Sequence, residues 1–481
     1  MQNDTSKELL KKLYMKHIVQ ATIFHHHRFS RNKNILPSSF LEIYYLNKNN
    51  CKLRNSNNIH FRQIMTTTNH CEENKAIMLT TADADLERAG EMLRQGNLVA
   101  FPTETVYGLG ANALDEKAVL KIFEAKARPL TDPLIVHVPN TERALELLEV
   151  PEESKPIYEY LATSFWPGPL TLVGKAHTSI PLTVTAGTGM VGLRIPNHPI
   201  AKKLLEVANV PVAAPSANRF GHVSPTSANH VYTDLGIHPY IAIVDGGTCK
   251  TNEKGDCNVG IESTVMKVDH ERKKLVLFRR GGISEQALKE AMNTYTSNNN
   301  NNNNIFLGYE IEVIAKVVIH KENMEDNNNV EQDMDDGAAV HGEEAPGQHL
   351  KHYAPDVPAT LVEIVDSSSN NNNNNNDDDS ITPLESMDLS TSVILDFNSN
   401  LLWLKDKCLE YRDLSLKGDM SEVAASLFSS LRWSETVEGA TNVYVVEIND
   451  QLNEHEHRDA VKDKLFRAAS GRKIKIVKVD M

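Results

Sequence analysis

Two unbroken asparagine runs, Asn298–Asn304 and Asn370–Asn376, the second continuing into three aspartates, partition this chain. Such tracts bury no apolar surface and read as disordered insertions. Any ordered core must therefore be assembled from what lies before, between and after them. The 481 residues, 40% of them hydrophobic, suffice for two or three domains with spacer between. A formal net charge of −14 argues against a general nucleic-acid or membrane-surface binder, which needs an excess of lysine and arginine. The five cysteines (Cys51, Cys71, Cys249, Cys257 and Cys408) form no CxxC pair. They suggest neither a disulfide scaffold nor a zinc site, and point to a reduced, intracellular setting. No apolar run approaches the length needed to cross a bilayer.

From Lys11 to Arg62 the chain is basic, with Glu42 its single acid. That composition fits either a mitochondrial transit peptide or an Asn-rich disordered extension. The tract His25 to His27 is a metal candidate on one reading and a solvated run on the other. Order is expected from near Leu79. Asp83 and Asp85 favour a helix N-terminus, Leu86, Ala89 and Leu93 mark one face, and Gly96 stops it. Asn97 to Phe101 reads as a buried strand, Ala118, Val119, Ile122 and Phe123 as a second helix face, and Asp132 to Val138 as a second strand. Helix and strand alternate as far as Gly281 and Gly282, the signature of an α/β domain. Tyr309 to Ile319 reads as a strand returning to that domain, followed by an acidic linker to about Glu344. The last hundred or so residues give a smaller α/β unit, with a helix face of Val423, Leu427, Phe428 and Leu431, a strand from Asn442 to Ile448, a helix from Ala460 to Ala469 and a closing strand. Trp403 and Trp433 are read as core.

Chemistry concentrates at strand ends. FPTETVYGLG (Phe101 to Gly110) places threonines, a glutamate, a tyrosine and glycines at the mouth of a core strand, either as ordinary turn punctuation or as a site. Lys126 and Arg128 straddle a helix end. Pro129 pushes Arg128 out of helical conformation, and two cations two apart in extended chain face one way, which suits a polyphosphate. Helix capping is the plain alternative. No GxxxxGK[ST] is present, so any nucleotide is held without a P-loop. In AAPSANRFGHVSPT (Ala213 to Thr226), Ser216 and Asn218 are similarly placed to face a ligand, or to build a polar turn. Arg194 lies inside an apolar strand, where it needs a carboxylate partner or a ligand. GIESTV (Gly260 to Val265) ends in hydroxyls, and FRRGG (Phe278 to Gly282) in cations and glycines that let backbone approach phosphate oxygens. His137 interrupts its strand, as a satisfied core histidine commonly does.

In this order FPTETVYGLG, IFEAKARPLTDPLIVHV, FWPGPLTLV, VGLRIPNHP, PVAAPSANRFGHVSPT, GIESTV and FRRGG resemble the YrdC-like family, specifically its two-domain threonylcarbamoyl-AMP synthases. PGQHLKHYAP (Pro346 to Pro355) resembles that family's interdomain linker. The resemblance implies a twisted mixed sheet with helices, plus a smaller C-terminal Rossmann-like α/β domain joined by a long linker. It divides the chain into an extension (1–75), a YrdC-like catalytic domain (76–320), a linker with a lid motif (321–357) and a small domain (358–481, with an insertion at 370–379). The implied activity makes threonylcarbamoyl-adenylate and pyrophosphate from L-threonine, bicarbonate or CO2, and ATP, with Mg²⁺ on the triphosphate. No nucleophilic triad is required, and none is found. The product would pass to the tRNA threonylcarbamoyl-transfer machinery for tRNAs reading codons that begin with A, in the cytoplasm or, through the basic extension, in mitochondria. The implied threonine site is Thr105, His137, Arg194, Ala214 through its backbone, and Ser263. The implied ATP site is Lys126, Arg128, Asp132, Met190 through its backbone, Ser216, Asn218, Ser224 and Arg279, with Tyr353 of the linker closing over the nucleotide. Departures from the family pattern are Arg280, where a proline is usual, and Asp463-Lys464-Leu465 in place of Asn-Arg-Leu. The competing reading is an RNA-binding or regulatory YrdC-like module, to which direct tRNA binding would belong.

Overall fold

The computed structural model describes residues 75–247, 259–298, 304–314, 343, 345–346, 352–365, 381–448 and 456–478. The basic N-terminal extension, most of the first asparagine tract and all of the second, the end of the Tyr309 to Ile319 segment and most of the linker lie outside these residues. The described elements begin with β1 (Ile77–Leu79), α1 (Asp83–Arg94), β2 (Leu98–Phe101), β3 (Gly108–Asn112), α2 (Glu116–Lys126), β4 (Ile135–His137), α3 (Thr141–Glu146) and β5 (Leu148–Glu149). They continue with α4 (Lys155–Phe165), β6 (Leu170–Ala176), β7 (Met190–Arg194), α5 (Pro199–Ala208), β8 (Val212–Ala213), α6 (Ala228–Leu235) and β9 (Ile241–Val244). Then come β10 (Thr264–Asp269), β11 (Lys274–Arg279), α7 (Glu285–Asn298) and β12 (Glu310–Val313). The rest are β13 (Ala359–Val365), β14 (Ser392–Asp396), β15 (Glu410–Asp413), α8 (Met420–Ser434), β16 (Asn442–Val446), α9 (Arg458–Ala468) and β17 (Lys473–Val477).

The first sheet runs β1-β9-β2-β3-β8-β4-β7-β6-β10-β11-β12, with β5 paired beside β6. It is mixed: β4 and β7 are parallel, while β3, β8 and β6 meet neighbours antiparallel. Strand β2 shows why its sequence is uniformly apolar. Leu98 and Ala100 face one cluster with α2 and α6, and Val99 and Phe101 face the other with α1 and α5. A strand covered on both faces has no polar side to advertise. As expected, β12 returns to this sheet, parallel to β11.

FPTETVYGLG does not turn into a helix. It is a strand, a loop and an antiparallel strand, since β2 pairs with β3. Its glycines lie within β3 rather than at a turn. A Cβ on Gly110 would come within 2.7 Å of Val212 Cγ1 and 3.0 Å of Phe101, so glycine there lets β8 and the loop after it come close.

The second sheet, β15-β14-β16-β13-β17, is entirely parallel. Numbered within the domain its order is 3-2-4-1-5, whereas a classic dinucleotide-binding half has 3-2-1 at that edge. Its core draws in Val106, Val223, Val259, Ile261 and Tyr353 from outside the domain, so the two sheets are joined through apolar packing. Trp403 and Trp433 pack against this core, and Trp433 carries the Arg412 guanidinium 3.7 Å from its ring centroid.

Candidate active site

Strand ends and loops of the first sheet surround a narrow recess with a cavity volume of about 50 Å³, lined by polar and charged side chains. One end is built on β4, β7 and the loop between β2 and β3. Arg194 closes β7, buried, with Nε donating to Gly168 O at 3.3 Å. Its Nη2 lies 2.8 Å from Glu104 Oε1, also buried, although the two do not meet as a directed hydrogen bond. The carboxylate partner that a buried arginine requires is thus supplied by the FPTETV loop itself. Thr103 shapes that loop: its Oγ1 donates to Val106 O and accepts from the backbone N–H of Thr105 and Val106. The Thr103 and Thr105 hydroxyls are 2.8 Å apart. His137 ends β4 beside Arg194 in parallel register. Burial, reinforced by the Arg194 charge, pushes its pKa down to about 3, so the ring is neutral. Ser263 shares a hydroxyl contact with Thr171 at 2.8 Å. Ala214 spends its N–H on Ile135 O and lines the recess.

Cations gather at the other end. Helix α2 stops because Ala127 adopts the left-handed conformation (φ 52°) and Arg128 N donates back to Phe123 O. The chain is therefore not extended at Lys126, contrary to the sequence expectation. Arg128 enters the recess, held by Asp132 Oδ2 at 2.9 Å and by the carbonyls of Asp132 and Pro133. Arg279 donates to Ser263 O and Ser263 Oγ, both at 3.0 Å. His352 of the linker lines the same recess, buried, its pKa held well below the usual histidine value first by burial and then by Arg128, Arg279, Arg467 and Lys126. A neutral imidazole whose neighbouring charges are cations marks a place short of negative charge.

Lys126 does not line the recess. It is buried, and its Nζ donates to the carbonyls of Ser216 and Asn218, pinning the loop that brings Ser216 to the wall. Asn218 Nδ2 donates to Arg219 O and His222 O, while its Oδ1 is buried with no hydrogen bond among the described residues. Ser224 donates to Glu262 Oε1 at 2.7 Å. Met190 begins β7 away from the lining, and Tyr353 is buried against Phe428, rings stacked at 5.2 Å. Thr105, Arg128, His137, Arg194, Ala214, Ser216, Ser263 and Arg279 share the recess, whereas Lys126, Asp132, Met190, Asn218, Ser224 and Tyr353 support it or stand outside its lining.

The sequence reading passed over Glu104, Glu262 and His352, although each adjoins a residue it had singled out. It also left Lys464 without a role. That lysine is buried, donates to Arg280 O at 2.8 Å and lies 5.4 Å from the Tyr353 ring centroid. Arg280 itself pairs with Glu285 at 2.8 Å. Gly281 is crowded by backbone rather than opened to a ligand: a Cβ there would be 2.3 Å from Glu262 O.

Fold and recess together define a two-domain α/β protein with a polar recess lined by three arginines, Arg128, Arg194 and Arg279. A family model described as Telomere recombination (Sua5, YciO, YrdC) matches residues 91–281, and one described as Threonylcarbamoyl-AMP synthase, C-terminal domain, matches residues 309–470. A Threonylcarbamoyl-AMP synthase of Pyrococcus abyssi is 41% identical over 57% of this chain and 67% of its own. One of Bacillus subtilis is 42% identical over 44% of this chain and 57% of its own, and one of Schizosaccharomyces pombe 39% identical over 48% and 60%. The matched segments thus span between 57% and 67% of these relatives' own length. A crystal structure of P. abyssi Sua5 complexed with L-threonine superposes with a TM-score of 0.60 at 31% identity, over 83% of this chain and 99% of that one. The chain belongs to the threonylcarbamoyl-AMP synthase family, in its two-domain form.

Proposed function

We propose that this chain is an L-threonylcarbamoyladenylate synthase, forming threonylcarbamoyl-AMP and pyrophosphate from L-threonine, bicarbonate or CO2, and ATP. The observation that carries this reading is the single recess in which buried Arg194 stands at one end and Arg128, Arg279 and neutral His352 at the other. Arg194 holds the threonine carboxylate, with Thr105, His137, Ser263 and the Ala214 carbonyl around the rest of the amino acid. The threonine amine forms a new N–C bond to the one-carbon unit, giving a carbamate: with CO2 a C=O π bond opens and the nitrogen loses a proton, and with bicarbonate a C–O bond breaks and the nitrogen's proton leaves with the hydroxide as water. A carbamate oxygen then bonds to the α-phosphorus as the bond to the β-phosphate oxygen breaks and pyrophosphate leaves. The protein's part is alignment and charge neutralisation. Arg128 and Arg279 face the phosphates directly. Lys126, Asp132, Asn218 and Ser224 hold the loops from which Ser216 and Arg128 act, Met190 supports the strand that ends in Arg194, and Tyr353 anchors the linker carrying His352.

Mg²⁺ enters with ATP as part of that substrate and, when bound, neutralises triphosphate charge. Glu262 is the wall carboxylate suited to it, since its Oε2 makes no hydrogen bond among the described residues. The product is handed to the machinery that transfers the threonylcarbamoyl group to tRNA. No helix among the described residues is long and apolar enough to cross a membrane. We assign the chain to the cytoplasm, with the basic segment ending at Arg62 as a candidate mitochondrial address; deleting it and imaging the protein tests that assignment. Pyrophosphate release from ATP should require both threonine and bicarbonate. Release that persists without threonine, or none with both present, would sink the reading.

A further inference from the structure

The loop carrying Ser216 and Asn218 is gripped from both sides, and one grip comes from the small domain. On the recess side, Lys126 Nζ takes the carbonyls of Ser216 and Asn218, and Phe220 N donates to Lys126 O at 2.9 Å. On the far side stands Arg432, a buried arginine of α8. Its Nη2 donates to Val223 O, and its two terminal nitrogens reach Asp234 Oδ1 and Oδ2 at 3.3 and 2.8 Å. Asp234 in turn accepts from the Arg219 backbone N–H at 3.1 Å and meets His222 Nδ1 at 2.9 Å. The carbonyls of these same two residues, Arg219 and His222, receive the Asn218 Nδ2 hydrogens at 2.7 and 2.8 Å.

A continuous path therefore runs from the small domain through Asp234 to the Asn218 carboxamide, whose Oδ1 is left buried and without a hydrogen bond among the described residues. Burying two charges here gains little net stability over an apolar contact of the same shape. What a bidentate arginine adds is fixed geometry. We propose that Arg432 is a positioning residue for nucleotide use: acting through Asp234, it sets the two carbonyls that orient Asn218, so the small domain completes the nucleotide end of the site. This rests on the assignment of the Ser216 to Asn218 loop to ATP made above.

The test uses the full chain with Arg432→Met, Arg432→Lys and, as a stability control, Leu427→Ala, a core truncation on the same helix that removes only apolar packing. ATP affinity is measured by calorimetry, and KM for ATP and for threonine by pyrophosphate release. Arg432→Met should weaken ATP binding and raise its KM about tenfold, the cost of misplacing one hydrogen-bonding group, with the threonine KM changed less than about twofold. Arg432→Lys should recover part of the loss. Leu427→Ala should lower the melting temperature without moving the ATP KM. If Arg432→Met does not fold, Asp234→Asn should show the same split with a smaller shift. Unchanged ATP affinity in Arg432→Met, an equal shift in Leu427→Ala, or a parallel rise in both KM values would overturn the proposal. An unsubstituted chain that bound no ATP would overturn it together with the functional reading, whereas binding that ignores Arg432 overturns this inference alone.

Discussion

Arg194 is asked both to hold the fold together and to recognise a substrate, and the two roles can be separated. It and Glu104 are buried 2.8 Å apart. Removing one partner strands a charge in the interior, which costs about 3–5 kcal/mol, while replacing both by apolar residues is often close to neutral. Arg194→Met should therefore be strongly destabilised in urea unfolding, and Glu104→Met with Arg194→Met should recover to within about 1 kcal/mol of the parent. Both should fail to use threonine. Equal destabilisation of the single and double variants would show that the two side chains are not energetically coupled. The sequence did ask for a carboxylate partner or a ligand at Arg194, since an unpaired arginine in an apolar strand is costly. It could not say which carboxylate, because Glu104 is ninety positions away and joins Arg194 only once β2, β4 and β7 lie in one sheet.

At the scale of elements, helix and strand positions were legible because each carries a local period: Leu86, Ala89 and Leu93 bury as one face of α1, as do Val423, Leu427, Phe428 and Leu431 on α8. Connections were less legible, since a backbone has several ways to change direction. The end of α2 is the instructive case. Pro129 suggested extended chain after Lys126, but Ala127 takes the left-handed conformation at φ 52°, and this brings Lys126 beneath the loop while Arg128 goes to the recess. An L-residue other than glycine costs roughly 1–2 kcal/mol there. Ala127 is exposed, so little packing is at stake in its methyl. Ala127→Gly should raise stability by about 1 kcal/mol in denaturant unfolding, with ATP use unchanged because the cations keep their places. A loss of stability would mean that the helix ends in some other way.

On the scale of the whole molecule, composition suggested separable pieces strung on asparagine-rich spacer, and that view missed the joint between the two sheets. The joint is made by residues far apart in sequence, such as Asp234 and Arg432, 198 positions from one another, which no local pattern links. A histidine, His222, sits in it with Nδ1 2.9 Å from Asp234 and Nε2 2.7 Å from Glu435. Burial opposes the charged ring, but the bonds to these two carboxylates outweigh it and raise the pKa above the ordinary value. Around it stand Arg432, bonded to Asp234, and Arg219, paired with Asp356 at 2.9 Å, while burial pushes His230 down to about 4, leaving it neutral. A doubly protonated ring has one N–H for each carboxylate, whereas a neutral ring has a single N–H for both. Because the folded pKa is raised, the stabilisation is complete below the unfolded value of about 6.5 and is lost as pH climbs through the folded value. The melting-temperature gap between the parent and His222→Gln should accordingly be widest below about pH 6.5 and shrink as pH rises above it. A gap that stayed constant across that range would mean that the ring bridges the two domains as a neutral group, its proton playing no part in holding them together.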